Sequence, residues 1–466
     1  MRTTYKLDII IFLLTASITG GCKKFVSINP PVTQLVTTSV FNDNTTATAA
    51  QTVLYAQMAS DPYSLDNMTG LSSDELKSYS GDPGTIALYT NSLTATVNVP
   101  YVWASAYNYI YEVNAVLEGL QNGNVNPAVK QQLMGEAKFV RAFWYFYLAS
   151  LYGGGPIITT TDYKKNTEMV RAPQMQVYQQ VIGDLRDAAT LLNANYVDFS
   201  DTAITKDRVR PTKWAALALM AKTYLFSGDF VRADSTSTAV INNTALFSLQ
   251  SSLDSVFKRN NPEAIWQIVP VGGVGYTQEG YFFTLTGAPG NINTATLSDS
   301  LLTAFENGDQ RKARWVGSVK SNNKTYYYSS KYKANTGTST TLTEYSMVLR
   351  LAEQYLIRAE ARAQGAGTGI NGALDDLNKI RNRAGLPNYA GATDKSSVLN
   401  AILRERRVEL FLEAHRWLDL RRAGIIDATM NAFTSSKGSS WSSYQQLYPI
   451  PLSDIQTSNM SQNQGY

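Results

Sequence analysis

The sequence predicts a mainly α protein in which degenerate tetratricopeptide-type helix pairs form a curved scaffold, capped by a large, irregular, loop-rich region with short strands. Three observations predict it. Apolar residues recur at the helical period over long segments, as with Trp103, Tyr107, Ile110, Val113 and Leu117 on one face of 101–120. Small residues stand where antiparallel helices need close approach. Ala221 and Tyr224 are followed by Ala233 in the next segment, and Ala359, Ala363 and Gly365 by Ala373, Leu377 and Ile380. Between helices lie two polar stretches, 61–98 and 247–344, too long to be mere connectors. Insertions break the repeats, so no regular solenoid is expected.

The elements follow in chain order. Residues 1–21 read as a lipoprotein signal peptide: Arg2 and Lys6 are the positive start, and 9–14 are the apolar centre. Thr19-Gly-Gly-Cys22 then places the sole cysteine where a lipid anchor is attached, so Cys22 is the expected lipidation site. Residues 22–40, with Pro30-Pro31, form a tether that the prolines keep extended. Residues 45–58 open the first helix, and 61–98 read as irregular. Helices follow over 101–120, from Pro127 onward, and over 175–192 and 211–228. Gly153 to Gly155 read as a helix stop, not a phosphate loop, because no Lys-Ser/Thr follows them. Residues 260–268 read as a turn and then a strand, and 326–332 alternate like a strand. Residues 403–424 read as one amphipathic helix. Its apolar stripe is Leu403, Leu410, Phe411, Ala414, Trp417 and Leu418, its Arg and carboxylates are neighbours at i,i+3, and it reads as a partly buried helix whose Arg and Glu tie neighbouring loops together. The regions divide as 41–245 and 246–466.

Composition narrows the function. The net charge of +4 over 466 residues is modest and calls for no nucleic acid or other polyanion. One cysteine and one histidine, His415, exclude a disulfide framework and Cys/His zinc sites. No metal site, cofactor loop or nucleophile motif is evident, and His415 reads as a hydrogen-bonded structural residue. The chain holds 28 Tyr and 7 Trp among many Ser, Thr and Asn. Rings with amide and hydroxyl groups suit a sugar, whose pyranose has an apolar C–H face and a hydroxyl rim.

Several motifs resemble those of the SusD/RagB family of surface lipoproteins. They are ERRVELFLEAHRWLDLRRAG at 405–424 and YPIPLSDI at 448–455, with QNQGY at 462–466. Weaker ones extend the likeness over nearly the whole chain: GEAKFVRA at 135–142, LYGGGP at 151–156, NNPEAIWQI at 260–268, Asp309-Gln-Arg311 and NKIRNRAGLP at 378–387. The resemblance implies the same helical fold and a non-enzymatic function. Such a protein captures an oligosaccharide and delivers it to a TonB-dependent SusC-like transporter in the outer membrane. A peptide or other nutrient, as in RagB-like members, a surface-anchored glycoside hydrolase, and a repeat scaffold with no small ligand remain alternatives. Aromatic residues in the two loop-rich regions are the expected ligand contacts: Tyr79, Tyr89, Tyr276, Tyr281, Trp315 and Tyr327.

Overall fold

A computed structural model describes residues 40–97 and 101–466. Cys22, the signal segment and most of the tether lie outside the described residues.

The scaffold is a succession of helices, each packed on the next. α1 spans Asn44–Gln57, α2 Asp61–Ser72, α3 Pro83–Tyr89, α4 Tyr101–Asn122 and α5 Pro127–Tyr152. α6 spans Gln174–Leu191, α7 Lys213–Phe226 and α8 Phe230–Ile241. Within the second loop-rich region lies α9 Gln278–Phe283, and after that region come α10 Leu351–Ala363, α11 Gly369–Arg383, α12 Lys395–Glu409 and α13 Arg416–Arg422. Neighbours pack in the order α4, α5, α6, α7, α8, α10, α11, α12.

The most deeply enclosed helix of this row is α5. Asn126 caps its start, its side chain accepting from Ala128 N at 3.0 Å with Pro127 in the first turn. It ends at Gly153, whose φ of 76° is left-handed. The run Phe139 to Tyr147 is buried on every side, as expected of a helix enclosed by others. Arg141 clamps Asp184 with bonds of 2.8 and 2.6 Å, tying α5 to α6. The small residues act as expected: Ala221, Ala233, Ala359 and Ala373 are fully buried where α7 meets α8 and α10 meets α11.

Two sequence expectations are corrected. The first concerns 61–98, which is not irregular. Pro62 opens α2, and Leu65, Met68 and Leu71 bury one face at a spacing of three. The Ser and Thr that suggested a loop are satisfied within the helix, with Ser64 Oγ donating to Ser60 O and Thr69 Oγ1 to Leu65 O. Asp82 then caps α3.

The second concerns 403–424, which is two helices. α12 stops at Glu409, Leu412 and Ala414 adopt φ of 49° and 56°, and α13 starts at Arg416. The apolar residues from Leu410 to Leu418 are buried as expected. The charges tie distant segments together, as expected of a partly buried stretch, but mostly through partners other than the i,i+3 neighbours. Of the expected i,i+3 pairs, Asp419–Arg422 forms at 2.8 Å. Arg416 instead grips Asp74 at 2.7 Å, and Arg406 grips Asp419 at 2.7 Å. Glu409 meets Arg311 at 3.0 Å, Arg350 at 2.5 Å and also Arg383. Burial opposes its ionisation, but Arg383, Arg350 and Arg311 outweigh burial and hold the carboxyl well below the usual range. Arg311 also pairs with Asp309 at 2.8 Å, within the Asp309-Gln-Arg311 motif. His415 is buried as a structural residue, its Nε2 2.8 Å from Glu353. Burial and then Lys222 hold its pKa below the ordinary value.

Candidate functional site

Short strands bring the two loop-rich regions together. β1 (Leu76–Ser78) pairs antiparallel with β3 (Ala295–Leu297), Leu76 opposite Leu297 and Ser78 opposite Ala295. β2 (Ala264–Ile268) pairs with β6 (Ser346–Arg350), closing the base of the second region. β4 (Val316–Ser321) and β5 (Lys324–Ser329) form a hairpin that packs beside β3. Just past β1, Tyr79 N donates to Thr294 O at 2.7 Å. Next to it, Asn293 Nδ2 donates to the carbonyls of Tyr281 and Phe282 at 2.7 and 2.9 Å. Tyr79 and the end of α9 are thereby fixed to one three-residue strand.

Two groups of rings result. In the first, Tyr276 stacks on Tyr281 with centroids 5.1 Å apart, Phe282 meets Tyr281 edge-on at 5.0 Å, and Tyr63 stacks on Phe282 at 4.6 Å. This row leads to a cleft of about 520 Å³ whose walls include Tyr63, Asn67, Asp82, Thr85, Leu88 and Val97. In the second, Tyr326 meets Tyr79 edge-on at 6.0 Å. The ammonium groups of Lys77 and Lys324 lie 5.8 and 5.6 Å from the Tyr79 centroid.

Tyr89 ends α3 close to this second group. Burial, and then the Tyr79 hydroxyl, push its own hydroxyl upward. Under its ring, at 5.1 Å, sits Lys437 Nζ, which donates to Leu71 O, Ser72 O and Asn91 Oδ1. One ammonium thus pins the end of α2 to the loop after α3. Burial pushes Lys437 down to about 7.

Strand alternation separates the tyrosines of the hairpin. Tyr326 is opposite Val319 and faces Tyr79, whereas Tyr327, opposite Ser318, points the other way and is 41% exposed. The structure therefore brings Tyr79 and Tyr89 together, and Tyr276 and Tyr281 together, and leaves Tyr327 on the outer face. Tyr63, Phe282 and Tyr326 join the site although sequence reasoning did not select them. Tyr326 could have been found from the period-two pattern once its register was known. Tyr63 joins through its contacts with Phe282 and Phe283, more than 200 positions away, which no local pattern announces.

Trp315 does not belong to this surface and is corrected. It is fully buried, its Nε1 donates to Leu253 O at 3.0 Å, and Phe257 packs edge-on at 5.6 Å. Lys331 and Arg383 lie over its ring at 5.0 and 6.0 Å, so its π face serves the buried cations of the ion network. Phe283 is likewise buried, packed against Tyr63.

The chemistry available on the cap is stacking and hydrogen bonding. Asp82 is the one carboxylate among the cleft residues, and it is committed to α3, accepting from Thr85 N at 2.7 Å and Thr85 Oγ1 at 2.9 Å. Beneath the rings lies Glu279, buried, with Oε2 accepting from Ser346 at 2.9 Å and Oε1 unpartnered among the described residues. Burial pushes its carboxyl up to about 7. Among the described residues no group of three or more His, Cys, Asp or Glu is placed to hold a metal ion.

Comparison with known proteins agrees with this architecture. A family model described as the SusD family matches residues 303–466, and one described as starch-binding, associating with the outer membrane, matches residues 24–225. A SusD-like protein P2 of Formosa agariphila is 27% identical over 476 positions, covering 90% of each chain. The starch-binding protein SusD of Bacteroides thetaiotaomicron is 38% identical over 128 positions, 26% of this chain and 21% of that one. In three dimensions, a SusD homolog from Bacteroides thetaiotaomicron covers 92% of this chain and 98% of its own at a TM-score of 0.79 and 19% identity, a likeness of fold.

Proposed function

The chain belongs to the SusD family of glycan-binding, outer-membrane-associated proteins, and on that premise we propose that it captures an oligosaccharide on its cap and delivers it to a TonB-dependent SusC-like transporter. The observation that carries this reading is the row Tyr276–Tyr281–Phe282–Tyr63 running into a cleft of about 520 Å³. Offset, half-buried rings beside amide and hydroxyl groups suit the alternating apolar faces and hydroxyl rims of linked sugars. Tyr79 and Tyr89 extend the platform, and residues 41–245 and 246–466 each contribute one side of it. The anchor is acylated Cys22; two or more chains there, at about 0.8 kcal/mol per buried CH2, hold a protein to a bilayer.

The protein acts as a binder rather than a hydrolase. A glycosidase needs two free carboxyl groups flanking one bond, and Asp82 is both single in the cleft and occupied by Thr85. The test is a glycan array followed by calorimetry on the purified protein. Saturable binding of an oligosaccharide, with no new reducing ends after prolonged incubation, is expected. Turnover of the bound glycan, or saturable binding of peptides in place of any saccharide, would defeat the reading.

A further inference from the structure

We propose that the glycan taken by this cap is anionic, with a uronate carboxylate or sulfate ester seated between Lys77 and Lys324 beside the Tyr79 ring. The inference rests on the reading of this face as a glycan site and names the class of sugar.

The argument starts from where charge falls in the chain. Between Asp309 and Glu344 stand seven Lys and Arg and no carboxylate, and residues 280–298 contain none either. Most of those seven cations are accounted for. Arg311 lies in the buried ion network, Lys331 meets Glu413 at 2.5 Å, Arg314 and Lys333 share Asp254 at 3.3 and 3.6 Å, and Lys312 donates to Leu302 O at 3.0 Å. Lys320 and Lys324 are left. Both are exposed on the hairpin, and neither has an ion pair among the described residues. Lys77 on β1 is likewise exposed and unpaired.

Geometry then separates these three. Lys324 shares a hairpin face with Tyr326, and Lys320 is on the other. Lys77 and Lys324 converge on one ring, 5.8 and 5.6 Å from the Tyr79 centroid, with Lys324 also 5.1 Å from Tyr326. The ring attracts each ammonium, but the two repel one another, and neither forms an ion pair with a carboxylate among the described residues. An anion delivered by the ligand removes that repulsion and gains charge-assisted hydrogen bonds, while its sugar ring stacks on Tyr79. The overall charge of +4 is modest because carboxylates elsewhere offset it; here it is locally unopposed.

The experiment is calorimetry of the purified protein with oligogalacturonate and chondroitin sulfate oligosaccharides, each beside its carboxyl-reduced or desulfated counterpart. Wild type and the K77Q/K324Q double variant are compared, with melting temperature as the folding control. The anionic member of a pair is expected to bind about tenfold more tightly than its neutral counterpart. That preference is expected to shrink at high salt and vanish in the double variant. Which pair shows the preference distinguishes carboxylate from sulfate. Equal binding of charged and neutral members, a preference for the neutral one, or a preference that survives K77Q/K324Q would overturn the inference while leaving the glycan-binding function standing. Failure of every saccharide to bind, on this set and on a broad glycan array, would overturn both.

Discussion

On the helical side of the molecule Arg311, Arg350 and Arg383 surround Glu409 in the interior. On the cap Lys77 and Lys324 flank Tyr79 at the surface and meet no carboxylate among the described residues. Aromatic rings divide in the same way. Trp315 is sealed beneath the cations of the network, while Tyr79, Tyr276 and Tyr281 are half-buried and keep an edge or face to solvent. The same residue types thus do opposite work. Where every charge has its counter-charge and every ring is enclosed, the groups hold the fold. Where charges and rings are left incomplete, a ligand can complete them.

Four substitutions would sharpen or break this contrast, from the largest effect down. Glu409→Gln leaves three buried guanidiniums short of an anion and is expected to destabilise by about 3–5 kcal/mol in a denaturant titration. A loss below 1 kcal/mol would mean the network is not the keystone its burial implies. Trp315→Ala is expected to cost about 3–5 kcal/mol, from the emptied volume and the orphaned Leu253 carbonyl. In the third, Glu279→Gln, the sign depends on pH. The wild-type carboxyl has a folded pKa of about 7 against an ordinary 4.5. Below 4.5 it is protonated in both states and costs nothing. Between 4.5 and 7 the unfolded chain ionises first, so stability falls as pH rises, and above 7 the full penalty remains. The variant should therefore melt with wild type at acid pH and above it at pH 8, by up to roughly 3 kcal/mol. The smallest stability effect belongs to Tyr281→Ala, expected to weaken the captured oligosaccharide about tenfold, near 1.4 kcal/mol, with a nearly unchanged melting temperature. A Trp315-like collapse in Tyr281→Ala would erase the distinction between the two regions.

The helical side was largely legible in the sequence because its signals are local. Period, caps and small residues placed α4 to α8 and the α10–α11 pair within a few residues. The break at Leu412 to Ala414 was not legible: neither position is glycine, yet both adopt positive φ, and Leu412 is held there by distant partners. Leu412 N donates to Glu75, and a Cβ on Gly70 would lie only 2.7 Å from the Leu412 side chain. The cap was legible in its composition but not its register. Three consecutive tyrosines, Tyr326 to Tyr328, cannot say which faces inward until β5 is paired. Trp315 misled because a tryptophan beside a polar stretch reads as exposed, whereas its indole and the cations above it satisfy each other in the interior.

The clasp of Asp74 by Arg416 also has a consequence in time. The partners are 342 positions apart. At roughly 5–20 residues per second of synthesis, Asp74 is made about 20–70 seconds before its guanidinium exists. Burial alone would raise this carboxyl; Arg416 and Arg407 bring it to about 2. Until they arrive, the segment that will carry the ligand surface has no counter-ion to settle against, so a nascent chain that still lacks residues 407–466 should remain open there and vulnerable to proteases.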